Sequence, residues 1–222
     1  MGKMTIQRYS KGGVVFHWAF SLVVIILLLT GIRMFSPGAS LAGGYATGIV
    51  HRVAAAGFIA IPLLYSLLSP GAVAGFLKET FNWRKDDMKW FRAAPDYYFG
   101  GTGENMPHQD RLNTGQRMWQ LVLMVTAVVF LVTGTVMWFF KSAIAINIYQ
   151  WLLFCHGAAF IVFLLMLMVH LYMSALHPRM RGAFYSMIDG KVSASYAREH
   201  HRKWYERLEG QLEEENGEYE ES

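Results

Sequence analysis

The chain has 222 residues, of which 54% are hydrophobic and only 16% charged, against about 25% charged in typical soluble domains, so much of it must face lipid or packed protein. Its single cysteine, Cys155, excludes a disulfide within the chain, and no CxxCH occurs for covalent attachment of a c-type haem. The formal net charge of +4 does not indicate nucleic acid, because the charges are segregated: no acidic residue lies between Met1 and Lys78, and none between Arg111 and Ile188.

Residues 1–13 are polar and basic. The apolar run behind them is too long, and carries a histidine too early, for a cleavable signal peptide. That run, VVFHWAFSLVVIILLLTGIRMF at 14–35, predicts a first spanning helix, since about 20 apolar residues cross a bilayer. His17 sits in its first turn, and no formal charge occurs before Arg33. Residues 36–46 are rich in Gly, Pro and Ser and read as a loop. A second span is expected over 47–68, with His51 and Arg52 at its start. Pro62 inside it is tolerated in membrane helices, and the Ser69–Pro70 pair ends it. Residues 71–117 mix basic, acidic and aromatic side chains, which predicts a loop with short amphipathic helices at the membrane surface. A third span, 118–140, carries neither charge nor histidine. The fourth, 148–176, contains LLFCHGAAFIVFLLMLMVHLYM and is stopped by Pro178. A basic polar tail follows, and 209–222 is acidic and expected to be disordered. No strand and no internal repeat is indicated.

The expected fold class is therefore an all-α membrane protein, a four-transmembrane-helix bundle formed by residues 1–208. Of the twenty Lys and Arg, all but Arg33, Arg52 and Lys141 lie in the N-terminal segment, the central loop and the C-terminal tail. The positive-inside rule then places both termini in the cytoplasm.

The histidines of the spans carry the chemical argument. His156 and His170 are fourteen residues apart, about 21 Å along a helix and about 40° around it, so one helix points two imidazoles the same way at two depths. With both termini cytoplasmic, His17 matches His170 on the inner side and His51 matches His156 on the outer side. Each pair suits one bis-histidine b-type haem between helices, and ionisable groups at membrane depth mark function. Zinc-protease and di-iron sites lack their ligands, since neither HExxH nor a second Glu-x-x-His occurs. Cys155 projects away from His156 and reads as packing. His108, His177, His200 and His201 lie in polar segments and read as surface or partner-contact residues. Trp18, Trp119, Trp138 and Trp151 read as interface anchors. The glycines of Thr30-Gly31 and Thr133-Gly134, with Gly57 and Gly157, allow close approach to a macrocycle or to another helix.

Several marks together resemble a known family. They are His17-Trp18 followed by Thr30-Gly31, NTGQRM from Asn113, LVTG ending at Gly134, the His156–His170 spacing, and the tail GKVS…HHRKWYERL from Gly190. Over residues 5–208 the chain resembles the cytochrome b (gamma) subunit of membrane-bound respiratory formate dehydrogenase. The resemblance implies a bacterial inner-membrane protein in which His51 and His156 ligate the outer haem and His17 and His170 the inner one. It also implies an iron–sulfur partner subunit, and a molybdenum- or tungsten-containing catalytic subunit that oxidises formate. Menaquinone or ubiquinone would bind beside the inner haem at His170, Asn113 and Gly115, with Gln116 adjacent. Asn113 also reads as a helix cap. The chain departs from the family at Val14, where members often carry a basic residue, and in its short loop after span 1. Two other readings stand beside this one: the dihaem cytochrome of a nickel–iron hydrogenase or thiosulfate reductase, and a non-redox membrane anchor whose histidines are packing residues.

Overall fold

The computed structural model describes residues 4–35 and 41–220, with the side chains of 41–43 and 215–220 left aside. The chain divides into two compact units, one formed by Gln7–Leu77 with Tyr185–Lys191, the other by Lys78–Phe184 with the chain from Val192 and the segment up to Ile6. The four apolar runs all form helices long and apolar enough to cross a membrane, at Lys11–Phe35, Gly44–Leu68, Thr114–Phe139 and Ile146–Leu176.

In the first unit, helix α1 (Lys11–Phe35) packs on α2 (Leu41–Leu68). Phe16 stacks on Tyr65, Phe20 meets Phe58, and Thr30 meets His51, so the two helices run antiparallel. Helix α1 begins three residues before the expected span because Ser10 caps it. Its hydroxyl accepts the Gly13 N–H (3.1 Å) and its carbonyl the Val14 N–H (3.0 Å). Helix α2 starts at Leu41 and not at 47, because the Gly and Ala taken for a loop continue the helix. The rest of that expected loop, 36–40, lies outside the described residues. Pro62 sits inside α2 without ending it. The unit is closed by Gly190, whose carbonyl accepts the N–H groups of Arg8 (2.8 Å) and Tyr9 (3.0 Å). Its φ is +80°, and a Cβ there would lie 2.4 Å from the Tyr9 carbonyl oxygen, so only glycine fits.

In the second unit, α5 (Thr114–Phe139) packs on α6 (Ile146–Leu171), again antiparallel: Trp119 meets His170 while Phe130 meets His156. A π turn at Tyr172–Leu176 prolongs α6 until Pro178 stops it with a short 3-10 turn, Pro178–Met180. The central segment expected to carry short helices does so, with α3 (Pro70–Phe81) and α4 (Lys85–Tyr98). Pro70 at the first helical position is where a proline lacks nothing, its missing N–H being unpaired anyway. Asp86 and Asp87 occupy the first turn of α4, where the helix dipole favours carboxylates.

The tail is more ordered than its polarity suggests. After α7 (Arg181–Asp189) come α8 (Ala194–His200), capped by Ser193, and α9 (Arg202–Glu220). Ala183, Val192, Tyr196, Ala197, Trp204 and Tyr205 form a buried hydrophobic cluster. The acidic stretch expected to be disordered is helical as far as Glu220, in keeping with the high helix propensity of Glu, Gln and Leu. Two three-residue strands, β1 (Thr5–Gln7) and β2 (Lys191–Ser193), pair as a ribbon. They were not expected, being too short for an alternating pattern to show.

Candidate functional site

The histidines that carry the argument stand on both helix pairs, His17 and His51 on α1 and α2, His156 and His170 on α6. The spans hold them against neighbours of two kinds. His51 Nδ1 lies 2.8 Å from the Thr30 hydroxyl of α1. His156 Nδ1 lies 2.8 Å from the Thr133 hydroxyl of α5. Both threonines are in Thr-Gly pairs near the end of the first helix of their hairpin, and both histidines are near the start of the second. His17 sits edge-on to Trp18, ring centroids 5.3 Å apart, and its buried Nδ1 has no hydrogen-bond partner among the described residues. His170 lies flat on Trp119, with centroids 4.8 Å apart and planes 11° from parallel. Trp119, expected as an interface anchor, therefore packs against the His170 ring and Phe163. Trp138 and Trp151 are exposed, as anchors would be.

The donor set fits a b-type haem. Among the described residues no group of three or more His, Cys, Asp or Glu is placed to hold a metal ion. Isolated imidazoles suit a porphyrin iron instead, because the macrocycle supplies four of the six ligands and the protein only the axial ones. An imidazole engaged at Nδ1 has the usual arrangement of a metal-bound histidine. At Gly134 a Cβ would lie 3.7 Å from the His156 ring, in ordinary contact with it, so Gly134 packs beside the imidazole.

The segment from Asn113 to Gln116 opens α5 as a capping box. The Asn113 side-chain oxygen accepts the Gln116 N–H (2.8 Å), and the Gln116 side-chain oxygen accepts the Asn113 N–H (3.0 Å). Gly115 is where Trp90 of α4 approaches, since a Cβ there would lie 2.8 Å from the indole. Below this start lies a buried polar cluster that sequence reasoning missed. Asp87 accepts from the Arg84 N–H (2.6 Å), the Thr114 hydroxyl and the Arg117 guanidinium. Gln109 accepts the Thr114 N–H (2.9 Å), and Thr80 donates to Gln120 (2.9 Å). The charges of Asp87 and Arg117 are thirty residues apart, and nothing local in the sequence pairs them.

Asn113 also borders a cavity of about 480 Å³ that is lined by Tyr97, Tyr98, His108, Gln109 and Arg179, among others. Burial pushes both tyrosine hydroxyls above their ordinary range, with the Glu199 charge adding to this at Tyr97 against Arg179, and Tyr97 and Tyr196 adding at Tyr98. Both phenols therefore stay neutral. The tail histidines are not surface residues. His177 is buried with Nε2 2.8 Å from the Tyr98 carbonyl, and His201 is fully buried with Nδ1 2.7 Å from the Asp110 carbonyl. His200 meets the Tyr97 hydroxyl at 2.8 Å. Their polar neighbours in sequence suggested exposure, but they bond backbone carbonyls and a phenol of the central segment and so tie the tail to it.

The paired apolar spans and the histidines within them agree with the sequence comparison. The chain matches the prokaryotic cytochrome b561 family over residues 8–190. It belongs to that family. It is accordingly a b-type cytochrome and a multi-pass protein of the bacterial inner membrane. Among its relatives is the cytochrome b556 subunit of the nitrate-inducible formate dehydrogenase of Escherichia coli K12, 27% identical over 196 residues and 87% of each chain. A second cytochrome b556 subunit of formate dehydrogenase from the same organism is 25% identical over 90% of this chain and 92% of its own length. That of Haemophilus influenzae is 25% identical over 90% and 82%.

Proposed function

We propose that this b561-family chain is the membrane electron-transfer subunit of a formate dehydrogenase complex, linking an iron–sulfur subunit to quinone through two b-type haems. The observation that carries this reading is the near-full-length likeness to formate dehydrogenase cytochrome b556 subunits in a chain whose spans hold four histidines. His51 and His156 are the axial ligands on the outer side, and His17 and His170 those on the inner side. This assignment rests on depth, given that basic residues are concentrated in the termini and the central segment, which puts both termini in the cytoplasm.

When bound, haem supplies a one-electron carrier whose chemistry is its own. The chain binds it, orients it and excludes water. The outward faces of the spans carry exposed Leu22, Leu29, Leu165 and Met168, which suits lipid and not water. Quinone, menaquinone or ubiquinone, is the substrate assigned to His170, Asn113, Gly115 and Gln116. Trp119 supports this placement, since it lies against His170 and only six residues, roughly 9 Å of helix rise, beyond Asn113. The cap uses the Asn113 side-chain oxygen, so the amide N–H₂ is the donor it offers a quinone oxygen. The polar cavity beside Asn113 offers protons a route to the reduced quinone. Formate itself is oxidised in a molybdenum- or tungsten-containing partner subunit.

Purification of the tagged chain from its own membranes tests this reading. Iron–sulfur and formate-oxidising subunits should accompany it, formate should reduce its b-type absorption bands, and added quinone should reoxidise them. Reduction by hydrogen, or co-purification with a thiosulfate reductase, would move the chain to those complexes. A preparation without haem bands would leave a membrane anchor.

A further inference from the structure

The two threonines that meet histidines carry an inference that nothing in the family match assigns. Each hydroxyl has one proton and more than one neighbour. Thr30 Oγ1 lies 2.7 Å from the Ile26 carbonyl oxygen, 3.1 Å from that of Leu27 and 2.8 Å from His51 Nδ1. Thr133 Oγ1 lies 2.6 Å from the Val129 carbonyl oxygen and 2.8 Å from His156 Nδ1. A carbonyl can only accept, so the hydroxyl proton must go to the helix backbone. The hydroxyl oxygen then faces Nδ1 with a lone pair, and the contact is a hydrogen bond only if Nδ1 carries the proton. The opposite tautomer would set two lone pairs against each other at one of the two contacts. Both histidines are therefore held as Nδ1–H imidazoles, with the lone pair on Nε2.

We propose that Thr30 and Thr133 are positioning residues, setting tautomer, ring orientation and donor strength of the two axial ligands of the outer haem. The proposal rests on the dihaem reading. Two features make the device more than incidental packing. It occurs independently in both helix pairs, with a Thr-Gly near the end of one helix and a histidine 21 or 23 residues on. Thr126, one turn pair earlier on α5, makes the same bonds to its own helix, 2.7 Å to the Val122 carbonyl and 3.2 Å to that of Leu123, so back-bonding alone does not account for the histidine contact. A proton shared from Nδ1 toward oxygen makes the imidazole a stronger donor, which favours the oxidised iron.

The test is a potentiometric titration of the full chain in its complex, read by the b-band spectrum and by paramagnetic resonance of the oxidised low-spin haems. The variants are Thr30→Val, Thr133→Val, the double variant, both Thr→Ser variants and Thr126→Val. The expected result is that each Val variant raises the midpoint of the same one haem, by an amount on the order of tenfold in its redox equilibrium, about 59 mV for one electron. The double variant should shift it further, with a changed resonance signature, while Ser restores and Thr126→Val leaves both haems alone. Should the Val variants lose that haem outright, Ser variants that keep it at the original potential support the proposal, and Ser variants that also lose it overturn it. Unchanged potentials and spectra in both Val variants overturn it, as does a shift confined to the haem lost in His17→Ala. Absence of haem from the unmodified chain overturns the dihaem reading instead.

Discussion

At one end of the α1–α2 pair His51 meets the Thr30 hydroxyl, and at one end of the α5–α6 pair His156 meets that of Thr133. At the other ends the neighbours are rings: His17 stands edge-on to Trp18 with a buried Nδ1 that meets no acceptor among the described residues, and His170 lies flat on Trp119. A hydroxyl bound to its own helix decides which imidazole nitrogen carries the proton. An aromatic neighbour decides only the ring plane. Each of the two histidines that meet a hydroxyl thus has the hydrogen-bonded Nδ1 usual for a metal ligand. His170, with Trp119 flat against it, is the histidine assigned to the proposed quinone site.

The largest expected effect separates the two ends. His156→Ala should remove the haem at the threonine end and leave the other in place, and His170→Ala should do the reverse, as read from haem per polypeptide in reduced-minus-oxidised spectra. Loss of both haems in either variant would show that the ends are not independent.

The next effect concerns what stands beneath the aromatic end of α5. Arg117→Ala leaves Asp87 buried without its cation, its side chain being only 3% exposed, and breaking such a pair costs about 3–5 kcal/mol. Thermal unfolding of the purified protein should fall accordingly. A change under about 1 kcal/mol would mean that the pair is solvated as surface pairs are.

A smaller change sharpens the role of Asn113. Asn113→Ala removes the cap of α5, worth about 1 kcal/mol, whereas Asn113→Asp keeps a capping oxygen and loses the amide donor. If the amide serves quinone, both variants lose quinone reduction while only the Ala variant loses stability. Full quinone activity in Asn113→Asp would leave Asn113 as a cap alone.

The architecture of the spans was legible because length and hydropathy suffice to identify them, and the cap at Asn113 was legible from its residue types. The start of α1 was not: Ser10 lies outside the apolar run, so its cap begins the helix before hydropathy rises. The buried His177 and His201 were misread because their partners are backbone carbonyls, which no pattern of side chains announces. Trp119 was misread because depth in the membrane can be inferred from position, but the face it turns to a neighbouring helix cannot. Thr30 and Thr133 were visible as Thr-Gly pairs, yet the glycine drew the argument. Only the distance from hydroxyl to imidazole shows that the threonine carries the contact.

The smallest expected effect is a pH dependence outside the spans. Burial would raise the Asp110 carboxyl, but the Arg207 guanidinium, the Arg111 N–H and the charges of Arg207 and Arg84 together hold it below its ordinary value. A depressed carboxyl contributes stability that is fully present above its unfolded value, near pH 4, and is lost as pH falls through the folded one. Arg207→Ala should flatten stability in that acid window by under about 1 kcal/mol, since the pair is partly solvated. An unchanged acid limb would remove Arg207 from the account.

The central claim is that this chain holds one haem at each end of its paired spans. The most direct measurement is the haem content of the purified, folded chain, by pyridine haemochrome against polypeptide, from cells with ample haem supply. Two b-type haems per chain is the result expected. One haem would contradict the claim for one end, and none would contradict it for both.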